Sequence, residues 1–252
     1  MFKSPRSIVR FILLLAHLFW GVLVLIFVVG PDPERRNQRD WGAVQNWMAR
    51  LCRILGIRVS IEGAPVNGGA LFVSNHISWY DIPVLQSVIP TGFVAKAEIR
   101  GWPIIGWMAH RGNTLFIHRG KRDSFIHVLE DMKRRLKAGQ NLLVFPEGTT
   151  SAGDSVMTFK TRFYEPAIED GVPIQPIAVY YSSPHRSCAE LAFVNSESFM
   201  AHMVRLLGEP YIDARVRFCE PVQTPGRDRR ELGEMTQAEV EQSLAALKRQ
   251  TN

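Results

Sequence analysis

Cysteine is scarce in this chain. Its 252 residues include three, Cys52, Cys188 and Cys219, far apart and odd in number. That excludes a disulfide framework and any familiar zinc spacing, and reduced thiols in a cytosolic setting are the simplest reading. Internal repeats and low-complexity segments are also missing, so nothing marks a repeat architecture. A large charge imbalance is absent too. Thirty basic residues stand against 24 acidic ones, a formal +6, with a pI near 9.5. A mildly basic balance suits anionic lipid surfaces, phosphorylated substrates or nucleic acid, and its sign alone does not choose among them.

What the sequence has in quantity is apolar residues. At 46% hydrophobic it can bury a proper core, which excludes global disorder. Residues 11–30 read FILLLAHLFWGVLVLIFVVG, without a formal charge and with His17 as the one ionisable interruption. A helix of that length, at about 1.5 Å per residue, crosses a hydrocarbon core of about 30 Å. A signal peptide would have a shorter apolar core and a small-residue cleavage site. Val28-Val29-Gly30-Pro31-Asp32 is a poor cleavage site, so an uncleaved transmembrane helix is expected. Lys3, Arg6 and Arg10 before it match Arg35, Arg36 and Arg39 after it, so charge does not orient it. Pro31-Asp32-Pro33 closes it. Residues 40–57 then read as an amphipathic helix, with Trp41, Val44, Trp47, Met48, Leu51, Ile54 and Leu55 on one stripe. Such a stripe either faces a core or lies in a membrane surface with its tryptophans at headgroup level.

Beyond residue 57, short apolar runs alternate with helical stretches. Strands are expected at 59–61, 70–73, 92–95, 115–117, 142–145, 174–181 and 211–218. A helix is expected at 124–138, between Asp123 and Gly139, and a last helix from Thr236, where Thr236 and Glu239 have capping-box spacing. The alternation indicates an α/β fold with a mixed or parallel sheet.

Four constellations could carry chemistry. Ser74-Asn75-His76-Ile77-Ser78-Trp79-Tyr80-Asp81 follows an apolar strand, and ligands usually bind at the carboxyl ends of strands in α/β sheets. Histidine suits general-base work near neutral pH, and a carboxylate on its far ring nitrogen orients it and stabilises its cation. A turn histidine beside a helix-capping aspartate would read the same. Two such ligands are too few for zinc, so no metal site is expected. Next, a strand opening at Gly112 runs into His118-Arg119-Gly120-Lys121-Arg122. A guanidinium fork beside a helix amino terminus suits an anion, although a solvated basic loop has the same composition. Third, Phe145-Pro146-Glu147-Gly148-Thr149 is a strand-ending turn in which Glu147 could hydrogen-bond an acceptor hydroxyl and Gly148 allows close backbone approach. Fourth, Val172-Pro173-Ile174-Gln175-Pro176 has two prolines, which demote a strand to an edge or entry position.

In this order the four blocks resemble the glycerolipid acyltransferase family, whose central members are 1-acyl-glycerol-3-phosphate acyltransferases. His76 to Asp81 looks like the family's His-x4-Asp block, and Gly112 to Arg119 like its Gly-to-Arg strand. Phe145 to Thr149 matches its Phe-Pro-Glu-Gly-Thr block letter for letter, and Val172 to Pro176 its Val-Pro-Ile-x-Pro block. The resemblance covers roughly residues 51–222. It implies an α/β domain with a mixed, largely parallel sheet flanked by helices (58–252), behind an N-terminal membrane anchor (1–57). It further implies His76 as general base and Asp81 as its partner. Acceptor binding would involve Gly112, Arg119, Phe145, Pro146, Glu147, Gly148, Thr149, Lys160 and Pro173. The acyl group would come from acyl-CoA or acyl-acyl carrier protein, with no cofactor and no nucleic acid. The acceptor would be a membrane lysolipid, foremost 1-acyl-sn-glycerol-3-phosphate, at the cytosolic side of the inner membrane.

Two departures bear on the acceptor. His118 stands where the family often has Asp, and Arg162 where many members have Gly. Variants in this region also occur in relatives that acylate lyso-ornithine lipid, so that lipid is the alternative acceptor. A thioesterase, with water as acceptor, and a non-enzymatic membrane adaptor are the remaining readings.

Overall fold

The computed structural model describes residues 4–32, 35–118, 120–194 and 197–250. Lys3, Pro33 and the expected anion ligand Arg119 lie outside them. Among the described residues, seven strands form one sheet: β1 Ile57–Glu62, β2 Leu71–Ser74, β3 Thr91–Lys96, β4 Leu115–Ile117, β5 Asn141–Val144, β6 Ile174–Ser182 and β7 Ile212–Phe218, in the order β1-β7-β6-β2-β5-β3-β4. Only the β6–β7 pair is antiparallel. The sheet is therefore mixed and largely parallel, as expected. The carboxyl ends of β2, β3, β4, β5 and β6 share one side of it.

The helices are α1 Pro5–Phe27, α2 Gln38–Leu55, α3 Asp81–Val88, α4 Ile105–Arg111, α5 Arg122–Lys137, α6 Glu165–Glu169, α7 Cys188–Leu191, α8 Phe199–Leu207 and α9 Arg229–Arg249. They cover both faces of the sheet. Along β2, Phe72 packs with residues of α2, α3 and α8, while Leu71 and Val73 pack with residues of α5 and α9. A strand covered on both faces reads as an unbroken apolar run, which is why β2 and β5 are visible in the sequence.

α1 starts six residues before the expected apolar segment. Ser4 and Ser7 form a reciprocal capping box and Pro5 occupies the first turn, so Arg6 and Arg10 become helical residues. Leu14, His17, Gly21 and Leu25 form the buried stripe of α1. Trp47 of α2 stacks on His17 with centroids 4.7 Å apart, and each ring nitrogen bonds the other residue's carbonyl. α2 thus faces the core and α1, and Leu51, Cys52 and Leu55 join the main core cluster. Both ends of α1 are fastened to the rest of the fold. Arg6 and Arg10 donate to carbonyls of Leu207, Gly208, Glu209 and Pro210, and Arg111 donates to those of Leu25, Val29 and Pro31. By length and composition α1 can cross a membrane.

Two expectations are corrected. The last helix starts at Arg229 rather than Thr236, because the Asp228 carboxylate accepts the N–H groups of Arg230 and Glu231. Thr236 is interior instead, its hydroxyl bonded to the Leu232 carbonyl and to Tyr164. The proline-bearing strand β6 is central, not an edge. β7 ends at Phe218, and pairing resumes only at the Ile174–Val222 bridge. Pro176 falls in that gap, where its carbonyl accepts from Cys219 and a missing N–H costs no regular ladder bond.

Candidate active site

The turn after β2 carries His76. Asn75 pins that turn to β6, its side chain donating to the Val179 carbonyl and accepting from the Val179 N–H. α3 opens at Asp81, which brings its carboxylate back under the turn. His76 Nδ1 lies 2.6 Å from Asp81 Oδ2. The same oxygen accepts the Ile77 and Ser78 N–H groups at 2.7 and 3.0 Å, and Oδ1 accepts the Tyr181 hydroxyl at 2.7 Å. Asp81 is fully buried. A buried carboxylate that collects four donors is satisfied as an anion, and it makes Nδ1 the protonated ring nitrogen. Nε2 then carries the lone pair, and it has no partner among the described residues. The His76 side chain is 19% exposed. Burial and the neighbouring Asp81 charge push the Tyr181 phenol up, so Tyr181 remains a donor.

The turn after β5 supports the first. The Phe145 ring stacks on His76 with centroids 3.9 Å apart. Glu147 is buried, and its two oxygens accept the backbone N–H groups of His76 (2.7 Å) and Met157 (3.2 Å). Burial raises its carboxyl pKa, and those two N–H groups oppose the rise. Glu147 is therefore held as a strut beneath the histidine, with both oxygens engaged by backbone donors. Ser151 donates its N–H to the His76 carbonyl at 2.7 Å. Gly148 is left-handed at φ 74°, and a Cβ there would lie 3.0 Å from Lys160 Nζ, so the glycine makes room for that lysine. The Pro146 carbonyl accepts the Lys160 N–H, and Thr149 continues the same turn, exposed.

A cavity of about 570 Å³ opens beside these turns. Lys96, His118, Lys121, Arg122, Lys160 and Arg162 line it with Phe145 and Gly148, and among the described residues no lining residue is acidic. Phe145 thus has one ring contacting the histidine and also bordering a cationic space. Among the described residues no group of three His, Cys, Asp or Glu side chains is placed to hold a metal.

The acyltransferase family model matches residues 56–180, the stretch that contains both turns. The lyso-ornithine lipid O-acyltransferase of Pseudomonas aeruginosa is 39% identical over 212 residues, 84% of this chain and 80% of that protein. This chain belongs to the acyltransferase family. The 1-acyl-sn-glycerol-3-phosphate acyltransferase of Neisseria meningitidis is 33% identical over 152 residues, 60% of this chain and 59% of that one. The crystal structure of the 1-acyl-sn-glycerophosphate acyltransferase PlsC of Thermotoga maritima has the same fold. Its TM-score is 0.70 at 23% identity, covering 96% of this chain and 98% of that one.

Within this acyltransferase, His76, Asp81, Phe145, Pro146, Glu147, Gly148, Thr149 and Lys160 gather at the carboxyl ends of β2 and β5. Two expected ligands do not. Gly112 ends α4 and precedes β4, so it sits at the amino end of a strand parallel to β3, away from the histidine. Pro173 precedes β6 and accepts the Leu71 N–H at 3.1 Å, again at the amino ends, with the length of β2 between it and His76. His118, from the same block as Gly112, reaches the cavity because β4 carries it there. The sequence reading missed Tyr181, 100 residues from Asp81, for which no local spacing is a signal. It also missed Lys96, a lone lysine until the sheet brings the end of β3 beside the basic cluster that follows β4. His118 and Arg162, the two departures from the family pattern, both line the cavity, and Arg162 lies over the Phe125 ring at 4.3 Å.

Proposed function

We propose that this acyltransferase moves a fatty acyl group from acyl-CoA or acyl-acyl carrier protein to the hydroxyl of lyso-ornithine lipid. The observation that carries the chemistry is the His76–Asp81 pair, with Nδ1 tied to a buried carboxylate and Nε2 left to accept a proton. Nε2 removes the acceptor's hydroxyl proton as that oxygen bonds to the thioester carbonyl carbon. Asp81 holds the imidazolium that results. As the tetrahedral intermediate collapses, the C–S bond breaks and Nε2–H returns its proton to the departing thiolate. No side-chain nucleophile is needed, so transfer is direct.

The acceptor reading rests on the comparison with the Pseudomonas aeruginosa enzyme, which spans 84% of this chain. An ornithine carboxylate suits the lysines and arginines of the cavity. A specific observation also favours a second acceptor, 1-acyl-sn-glycerol-3-phosphate. Among the described residues the cavity lining has basic side chains and no acid, which suits a phosphate dianion as well. Thiol release by purified protein, with equal surface concentrations of the two lysolipids and mass spectrometry of the products, separates them. The expected result is at least about a tenfold preference for lyso-ornithine lipid, the low end of what pocket discrimination supplies. Equal rates, or a preference for the phosphate, overturn that choice.

The same proposal places the enzyme at the cytosolic face of a membrane. Three buried cysteines, all unpaired, support a reducing compartment. α1 is fastened to the domain at both ends and through His17 and Trp47 at its middle. A helix so bound suits the plane of the interface, with its exposed apolar face to lipid. Upright, it would draw the attached flank of the domain into hydrocarbon.

A further inference from the structure

From the turn after β3 into the first residues of α4 the chain reads Gly101-Trp102-Pro103-Ile104-Ile105-Gly106-Trp107-Met108, with no charged side chain. Trp102, Ile104 and Trp107 are 40, 59 and 41% exposed. Ile104 has φ 62° and ψ −58°, a region that a β-branched residue rarely enters. Gly106 is packed so closely on the Arg100 carbonyl that a Cβ would meet it at 2.2 Å, and Pro103 stiffens the other side. The tip holds an isoleucine out in solvent between two tryptophans. Nothing in the dyad or its struts uses it.

We infer that this tip inserts into the lipid bilayer beside α1 and sets the depth at which the catalytic turn meets its lysolipid. The inference rests on the proposed membrane-bound acyltransferase and adds a second, separate membrane contact to it. The tip is continuous with α1: Met108 of α4 packs on Gly21, and Arg111 at the end of α4 donates to the carboxyl-terminal carbonyls of α1. The outward residues of α1 there, Phe19 and Trp20, are exposed and apolar. On the other flank Trp102 packs on Phe199 of α8, centroids 5.3 Å apart, next to exposed Met200. Phe199 in turn packs on Trp79, 5.2 Å away, and Trp79 belongs to the turn that carries His76. Arg100 and Arg111 flank the apolar stretch, lying over Phe116 and Trp107. Tryptophans around an aliphatic centre, bordered by arginines, are the composition of a segment seated at the boundary between acyl chains and anionic headgroups. A lysolipid leaving the bilayer along Trp102, Phe199 and Trp79 would reach His76 with its acyl chain still in apolar surroundings.

The test uses full-length Ile104→Asp and Ile104→Gly proteins and vesicles of phosphatidylethanolamine and phosphatidylglycerol. Vesicle co-sedimentation and transfer to vesicle-embedded acceptor are measured beside transfer to a short-chain, water-dispersed acceptor. Wild-type protein should bind the vesicles. Both variants should bind at least about tenfold more weakly, from the loss of a buried aliphatic side chain, and need correspondingly more vesicle lipid for half-maximal rate. Rates on the dispersed acceptor should be unchanged. Ile104→Gly should also melt higher than wild type, since glycine takes the left-handed conformation without strain, so weaker binding by this variant cannot be a folding defect. Wild-type binding with both variants binding equally well overturns the tip but leaves the membrane reading intact. Wild-type protein that stays off vesicles overturns that reading itself. If Ile104→Asp instead turns a lipid-free dimer into a monomer without altering vesicle binding, a second copy covers the tip and the bilayer assignment is wrong.

Discussion

His76→Ala should lower acyl transfer by about 10²–10⁴-fold, the usual cost of losing a general base, with little change in melting temperature. The ring is partly exposed and contributes its stacking on Phe145 to the fold, but the backbone around it is held independently. Glu147 accepts the residue's N–H and Ser151 donates to its carbonyl, whatever the side chain. Nothing in the turn can take over the proton. Both Glu147 oxygens are occupied by backbone donors, and Asp81 is buried beneath the ring. Steady-state rates and thermal melts on the same preparation check this. A variant that retains near wild-type activity would remove His76 from the mechanism.

Asp81→Asn should cost about 10²–10³-fold in kcat, and the hydrogen-bond geometry explains why it should stop short of the ~10⁴-fold that follows when a triad histidine is left in the wrong tautomer. Three donors converge on Oδ2, namely His76 Nδ1, Ile77 N–H and Ser78 N–H. One amide oxygen can serve all three. The amide NH2 then faces the Tyr181 hydroxyl, which can rotate to accept. The tautomer survives and the negative charge that stabilises imidazolium is lost. Asp81→Ala differs in kind. It strands two backbone N–H groups and a tyrosine hydroxyl in the core, at about 1–3 kcal/mol for each unsatisfied group, so it should unfold before it can be assayed. Kinetics of the asparagine variant alone and with Tyr181→Phe separate the two effects. The double variant should melt lower than either single one, because the amide NH2 loses the hydroxyl that accepts from it. If Asp81→Asn is fully active, the carboxylate has no part in the reaction.

The sequence made legible those parts of the fold whose cause is local. Buried strands such as β2 and β5 are apolar runs, and the turns after them carry residues that make chemical sense where they stand. His76 and Asp81 are five positions apart, close enough for a single turn to join them. Elements set by distant partners were misread. Thr236 has the spacing of a helix start, but Asp228 caps the helix first, and the threonine hydroxyl is spent on Tyr164. Pro176 suggested an edge because proline lacks an N–H, whereas a gap in the β6–β7 ladder absorbs the deficit. Gly112 and Pro173 share motifs with site residues yet lie at the amino ends of their strands. Glu147 shows the limit most clearly: a carboxylate in a polar turn suggests a ligand, and only the fold reveals that two backbone donors already hold it. Tyr181 and Lys96 come from separate strands, β6 and β3, and no periodicity within one segment predicts their meeting at the site.

Direct transfer by the His76–Asp81 pair is most directly tested by a single-turnover experiment. Purified enzyme in excess is mixed with a radiolabelled acyl thioester, with or without lyso-ornithine lipid, and both free thiol and protein-bound label are followed. The account predicts no thiol release and no labelled protein until the acceptor is added, then one thiol released for each acylated lipid formed. A burst of thiol without acceptor, matched by label on the protein, would mean an acyl-enzyme, and steady release without acceptor would mean a thioesterase. Either result contradicts direct transfer.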